Sequence, residues 1–336
     1  MENIYKDKYL KYKNKYLNKD KKNFYNIVPP YNSGLLEVDN IHKIYYEESG
    51  NPNGKPIIVI HGGPGSGSGN KYSKFYDLSK NRLIAMDQRG CGKSLPFGEL
   101  KNNTTWDLIN DIEKLREYLK IDKWYITGGS WGSTLCLLYA IKHPNKILGI
   151  AISAICLLRQ EEINWLYKKG GLSQIYPKEW EEFNNYIPEN ERDDLVKAYH
   201  KRLNSNDINL IKEASKYWSH YELNCVFFNQ SDVKELNLED YNLLIPLAKI
   251  ESHYFINKAF LPSDNYILEN IEIIKNIPMT IIQSRYDVIC PFVSAYDLHK
   301  ALPNSKLVIS PSGGHSKGDY PTCNLYINEM KNLLEN

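Results

Sequence analysis

Gly128-Gly129-Ser130-Trp131-Gly132 falls between an apolar, aromatic run, Trp124-Tyr125-Ile126-Thr127, and a helix-like run over 133–140. The pattern reads as a strand, a tight turn and a helix, with a serine at the apex. Glycines two before and two after Ser130 matter because a strained strand-to-helix turn lets the chain cross itself only where side chains are nearly absent. Such a turn lifts the hydroxyl clear of the sheet. It also places the Trp131 N–H at a helix N-terminus, where unsatisfied backbone donors can stabilise a developing oxyanion. The plain alternative is a glycine-rich loop that only turns the chain, and the surrounding sequence decides between the two.

Outward from this turn, strand and helix alternate. Strands are expected over 41–46, 56–60 and 82–87, and again over 147–155 after the helix that follows Ser130. The run Pro56-Ile57-Ile58-Val59-Ile60 is continuously apolar, as in parallel strands covered on both faces. Residues 105–119 carry Trp106, Ile109, Ile112, Leu115 and Leu119 at helical spacing, with Thr104 or Thr105 placed to cap. This alternation predicts an α/β fold with a doubly wound, mostly parallel sheet. Across 156–265 aromatic residues such as Trp165, Trp180, Phe183, Tyr217 and Trp218 occur among charges with helical spacing, which predicts an inserted helical cap. Strand character returns at 279–283 and 306–309, and a last amphipathic helix is expected over 325–334. The expected organisation is a basic N-terminal segment (1–30), core (31–155), cap (156–265) and core (266–336). A cap in that place covers the carboxyl edge of the sheet, where such folds bind ligands.

Composition excludes several classes. The chain has 336 residues, 42% of them hydrophobic and 24% charged, with a formal net charge of only +2. That balance suggests neither a nucleic acid nor an anionic membrane as partner. No apolar run approaches the roughly 18 residues needed to cross a bilayer. No secretory signal is read at the N-terminus. The expected location is the cytoplasm. Residues 1–22 are locally basic, and Tyr5, Tyr9, Tyr12 and Tyr16 form a helical stripe, read as an accessory surface helix or a partly ordered tail. The six cysteines, Cys91, Cys136, Cys156, Cys225, Cys290 and Cys323, show no metal-ligand spacing and are expected to be reduced and mostly buried. No metal and no organic cofactor is expected.

A serine hydroxyl needs a base, held in turn by a third group. Asp287, in Ser284-Arg285-Tyr286-Asp287, and His315, in Ser312-Gly313-Gly314-His315-Ser316, each follow a predicted strand. Serine, acid, histidine is the chain order of the α/β-hydrolase fold. His61-Gly62-Gly63-Pro64-Gly65 supplies the second half of an oxyanion hole, the Gly63 N–H opposite that of Trp131. Gly92-Lys93-Ser94 imitates the end of a phosphate-binding loop, but the glycine required at position 87 is Asp87.

These segments, with Asp87-Gln88-Arg89-Gly90-Cys91-Gly92-Lys93-Ser94, Gly128-Gly129-Ser130-Trp131-Gly132-Ser133-Thr134-Leu135, Arg285-Tyr286-Asp287 and Gly314-His315, resemble the proline iminopeptidases over about residues 35–335. The resemblance implies release of an unblocked N-terminal proline from short peptides through an acyl-enzyme. Acidic cap residues would hold the positively charged imino group. Trp218 to Glu222 and Ala248-Lys249-Ile250-Glu251-Ser252-His253-Tyr254-Phe255 match the family's cap patterns, so the resemblance implies Glu222 and Glu251 as the amine-binding pair. The chain departs from the pattern at Ile152-Ser153-Ala154-Ile155-Cys156, where the family commonly has Leu-Arg-Gly-x-Phe, and at Leu166, where a tyrosine is frequent. An altered pocket wall near Ser153 and Cys156 is therefore expected. It suggests the second reading, an esterase or amidase acting on small acyl substrates.

Overall fold

The computed structural model describes residues 22–68, 70–228 and 239–335. Eight strands form one sheet: β1 (Asn32–Glu37), β2 (Lys43–Gly50), β3 (Lys55–Ile60), β4 (Asn81–Met86), β5 (Trp124–Ser130), β6 (Ile147–Ile155), β7 (Met279–Ser284) and β8 (Lys306–Ser310). Their order is β1-β2-β4-β3-β5-β6-β7-β8. The first two pairings are antiparallel and every later one is parallel. Successive β3 side chains explain the layering. Ile58 and Ile60 join one buried apolar cluster while Ile57 and Val59 join another, because strand side chains alternate between faces.

Helices α1 (Thr105–Tyr118) and α2 (Trp131–Lys142) belong to the first cluster. Helix α1 starts in a capping box: the Asp107 N–H donates to Thr104 Oγ1, and the Thr104 N–H donates to the Asp107 carboxylate at 3.0 Å. Helix α2 is buried at every position from Trp131 to Ile141, and its residues are apolar nearly all round, as a helix enclosed by other elements requires.

After β6 the chain leaves the sheet and returns at β7; the described residues between them form helices and no strand. The main ones are α3 (Gln160–Tyr167), α4 (Pro177–Tyr186), α5 (Leu195–Leu203), α6 (Ile208–Val226) and α7 (Tyr241–Ile256). Aromatic stacking joins them. Tyr167 stacks on Trp218 at 4.6 Å, and Phe183 stacks on Tyr199 at 4.5 Å and on Tyr221 at 4.7 Å. At the end of α7, Lys258, Ala259 and Phe260 all have positive φ. That strained turn is held by Trp106 Nε1, which donates to the Phe260 carbonyl at 2.9 Å, and by the Thr105 hydroxyl on the Ala259 carbonyl. Helices α8 (Phe292–Ala301) and α9 (Thr322–Glu335) complete the core.

The strands expected from sequence start within two residues of those observed, and β6 coincides, while β2 and β5 run three or four residues further than expected. Strand β1 is new. It is an edge strand with Leu35 46% exposed, so it carries no buried alternation to betray it. The helical stripe expected at Tyr5, Tyr9, Tyr12 and Tyr16 lies outside the described residues; residues 22–30 have no helix or strand, and Phe24 packs edge-on against Phe75 at 5.3 Å.

Candidate active site

Ser130 ends β5 with φ 57° and ψ −133°, and α2 begins at the next residue. A non-glycine residue in this region is strained and persists only where its surroundings impose it. The flanking glycines show what imposes it. A β-carbon on Gly132 would stand 2.3 Å from the Ile60 carbonyl oxygen, and one on Gly128 would stand 2.5 Å from that of Gly132. The Ser130 side chain does not cap its own helix. Instead Ser133 Oγ donates to the Ser130 carbonyl at 2.7 Å and accepts from the Cys156 N–H at 3.1 Å, bracing the turn against the end of β6.

Asp287 and His315 meet because β7 and β8 are neighbouring parallel strands, and the loops that carry them leave the same edge of the sheet as the turn after β5. His315 Nδ1 lies 3.0 and 3.1 Å from the two Asp287 oxygens. The N–H groups of Ile289 and Cys290 donate to Asp287 Oδ1 at 3.1 and 2.8 Å, and Gln283 Nε2 lies 3.3 Å from Oδ2. A carboxylate held this way fixes the proton on Nδ1 and leaves Nε2 free to act as a base. Burial pulls the His315 pKa down, but the Asp287 charge and hydrogen bond, with Glu222 adding to them, outweigh it and raise it above the ordinary histidine value. The His315 N–H donates to the Val226 carbonyl at the end of α6 (3.0 Å), and Asp319 Oδ2 accepts from the N–H groups of Gly314 (2.8 Å) and Phe228 (3.2 Å). The histidine loop is thereby fastened to the cap.

On the other side of Ser130, Gly63 has φ +101° in the loop that follows β3. His61 shapes this loop. Its Nε2 accepts from the Gln88 N–H at 3.0 Å, so Nδ1 carries the proton and donates to the Gly62 carbonyl at 2.8 Å. Complete burial lowers the His61 pKa and keeps the ring neutral. Gln88 then spans both halves: its Nε2 donates to the His61 carbonyl at 2.9 Å, and its Oε1 accepts from the Trp131 indole at 2.8 Å. Gln88, Gln283 and Asp319 are site-forming residues that sequence reasoning missed. Only Gln88 had a signal, its place in the Asp87-Gln88-Arg89-Gly90 motif.

Glu222 on α6 and Glu251 on α7 face each other inside the cap. Trp218 Nε1 donates to Glu251 Oε2 at 2.7 Å. Glu251 Oε1 and Glu222 Oε2 are buried, and the two carboxyls hydrogen-bond each other. Burial raises both carboxyls, and the Glu222 charge pushes Glu251 further, well above the carboxylate range. Two such groups hold a proton between them. Glu222 and Ser130 line one pocket with Gly63, Cys156, Leu158 and Phe255. Cys156 forms part of the wall; Ser153 is buried beside Gly129, where an added β-carbon would meet its Oγ at 2.9 Å. Among the described residues there is no cluster of three or more His, Cys, Asp or Glu able to hold a metal ion, and no helix long and apolar enough to cross a membrane.

A parallel sheet with a strained serine turn, an acid and a histidine at its carboxyl edge, and helices inserted after β6, defines an α/β hydrolase. Residues 55–317 match the family described as alpha/beta hydrolase fold. Among solved structures, a hydrolase from Pseudomonas aeruginosa is similar with a TM-score of 0.65 at 15% identity, over 91% of this chain and 99% of that one, a likeness of fold. More specifically, the chain belongs to the proline iminopeptidase family. It is 48% identical over 301 residues to the proline iminopeptidase of Arabidopsis thaliana, spanning 89% of this chain and 79% of that protein. It is 42% identical over 310 residues to that of Neisseria gonorrhoeae, spanning 92% and 98%.

Proposed function

We propose that the protein is a serine aminopeptidase that releases an unblocked N-terminal proline from short peptides. Ser130 Oγ attacks the carbonyl of the terminal residue while His315 Nε2 takes its proton and Asp287 orients the imidazole. The N–H groups of Gly63 and Trp131 receive the oxyanion. His315 then protonates the departing amine, and water repeats the sequence on the acyl-enzyme to release proline. Glu222 and Glu251 receive the imino group at the closed end of the pocket, which sets the cut one residue from a free terminus. The observation that carries this reading is the carboxyl pair: Glu222 lines the pocket with Ser130, and the buried Glu251 is hydrogen-bonded to it from behind. A neutral, acylated terminus supplies too few donors and no charge to satisfy them. The six free thiols, five of them buried, support a reducing compartment and thus a cytoplasmic location.

Cys156 in the pocket wall favours a second reading, an esterase or amidase acting on small acyl groups. Turnover of a free prolyl arylamide, its N-acetyl form and a simple aryl ester separates the two. Preference for the free amine supports the peptidase, and efficient cleavage of the blocked amide removes Glu222 and Glu251 as amine receptors. Ser130→Ala is expected to lose several orders of magnitude in kcat; retained turnover would overturn the assignment.

A further inference from the structure

Two thiols that this mechanism leaves unused stand in the wall of the pocket. Cys156 directly follows β6 and Cys290 follows β7, the neighbouring parallel strand, and both line the pocket with Ser130. Gln283 ties the two segments together: its Oε1 accepts from the Ile155 N–H and its Nε2 donates to the Cys290 carbonyl, each at 2.9 Å. The two thiols thus stand on one pocket wall at the ends of neighbouring strands, and the influence of Cys156, with burial, pushes the Cys290 thiol far above the usual range. Cys156 is the more exposed of the pair, and its sulfur also reaches Glu162 Oε2 at 3.7 Å.

The backbone at each cysteine is joined to a catalytic candidate. The Cys156 N–H donates to Ser133 Oγ, which in turn holds the Ser130 carbonyl, and the Cys156 carbonyl accepts from Thr134 Oγ1 at 2.8 Å. The Cys290 N–H donates to Asp287 Oδ1 at 2.8 Å. Movement of these two residues toward one another therefore acts on the serine turn from one side and on the acid from the other.

We propose that Cys156 and Cys290 form a thiol–disulfide modification site, oxidised by a hydroperoxide, that switches off the pocket they line. The loss of activity rests on the peptidase reading; formation of the bond does not. Cys156, the more accessible thiol, attacks a peroxide oxygen: an S–O bond forms, the O–O bond breaks, and water leaves with the thiol proton. Cys290 then attacks the resulting sulfenic sulfur, passing its thiol proton to the departing hydroxyl: an S–S bond forms, the S–O bond breaks, and a second water leaves. Two electrons pass from the thiols to hydrogen peroxide, which becomes two waters. Closing the sulfurs to about 2 Å draws the Cys290 N–H from Asp287 and the Cys156 N–H from Ser133.

The test treats the full-length protein with hydrogen peroxide, blocks remaining thiols and maps linked peptides by mass spectrometry. Prolyl arylamide turnover and fluorophosphonate labelling of Ser130 are followed in parallel. The expected result is a linked Cys156–Cys290 peptide and a loss of turnover of about a hundredfold, both reversed by dithiothreitol. Cys156→Ser and Cys290→Ser, each compared with its own untreated sample, should become insensitive, while Cys323→Ser stays sensitive. Absence of the linked peptide, its formation without loss of labelling, or unchanged sensitivity of Cys156→Ser overturns the proposal. A protein inactive on the arylamide before treatment refutes the peptidase reading instead, and the linked peptide and the labelling still decide this one.

Discussion

At the scale of single residues, the balance of charge around His315 determines how activity should respond to pH. Asp287 lies 3.0 Å from Nδ1 and holds the pKa above the ordinary value against burial, so the free base is lost, and kcat/KM falls, as pH drops through that raised pKa. Asp287→Asn removes the main opposition to burial, leaving only the weaker influence of Glu222 and Asp319. Its acid limb should move to lower pH, with kcat reduced about 10⁴-fold, as in comparable triads; a pH–rate profile superimposable on the wild type would remove Asp287 from the mechanism. The carboxyl pair gives a second prediction. Glu222→Gln removes one charge-assisted contact of about 1.5–3 kcal/mol, so kcat/KM for free prolyl arylamide should fall roughly 10- to 100-fold while a simple ester changes little. Equal losses on both substrates would place Glu222 outside amine recognition. Glu251 should also be visible in stability. Its folded pKa is raised, so the stability that comes from keeping its proton is fully present at low pH and is lost as pH rises through the raised value. Glu251→Gln keeps a neutral group that can still accept from Trp218, so its urea midpoint should gain on the wild type as pH increases. A difference that does not vary with pH would contradict a buried, protonated Glu251.

Among elements, the turn between β5 and α2 is the one most fully written in the sequence. Gly128 and Gly132 are there because the chain crosses itself, and no side chain can occupy the 2.3 Å left beside the Ile60 carbonyl. Gly132→Ala should force the turn apart, with a cost of about 1–3 kcal/mol in unfolding free energy and loss of turnover. Wild-type kinetics with an unchanged midpoint would show that the crossing tolerates a methyl. Strand β3 was readable for a related reason: both faces are covered, so the run from Ile57 to Ile60 is apolar without interruption, and β6 is buried throughout from Gly149 to Ile155. Strand β1 was not readable, since an edge strand with one solvated face needs little apolar residue. Nor was the left-handed turn at Lys258, Ala259 and Phe260. No glycine marks it, and it is held by partners about 150 residues away, at Thr105 and Trp106.

For the whole molecule, the anchoring of the active-site loops is a matter of tertiary contact. Arg89, in the loop after β4, binds both oxygens of the fully buried Asp111 at 2.6 and 2.7 Å and reaches Asp39 at 2.7 Å. Arg89→Met would leave a buried carboxylate unpaired, and a loss of about 3–5 kcal/mol is expected in urea unfolding. A loss below about 1 kcal/mol would show that the network is no more than a surface ion pair. From the sequence alone came the kind of fold, the serine turn, and the order of serine, acid and histidine, because these depend on local spacing and on residues that only one backbone geometry tolerates. Only the folded chain decided what those residues face. It joined Asp319 to both the histidine loop and the end of α6, set Gln88 between the His61 loop and Trp131, placed Cys156 beside Cys290, and moved Ser153 out of the wall. The physical reason is that hydrogen bonds and buried charges act between atoms close in space, and here those atoms come from strands, loops and cap helices far apart along the chain.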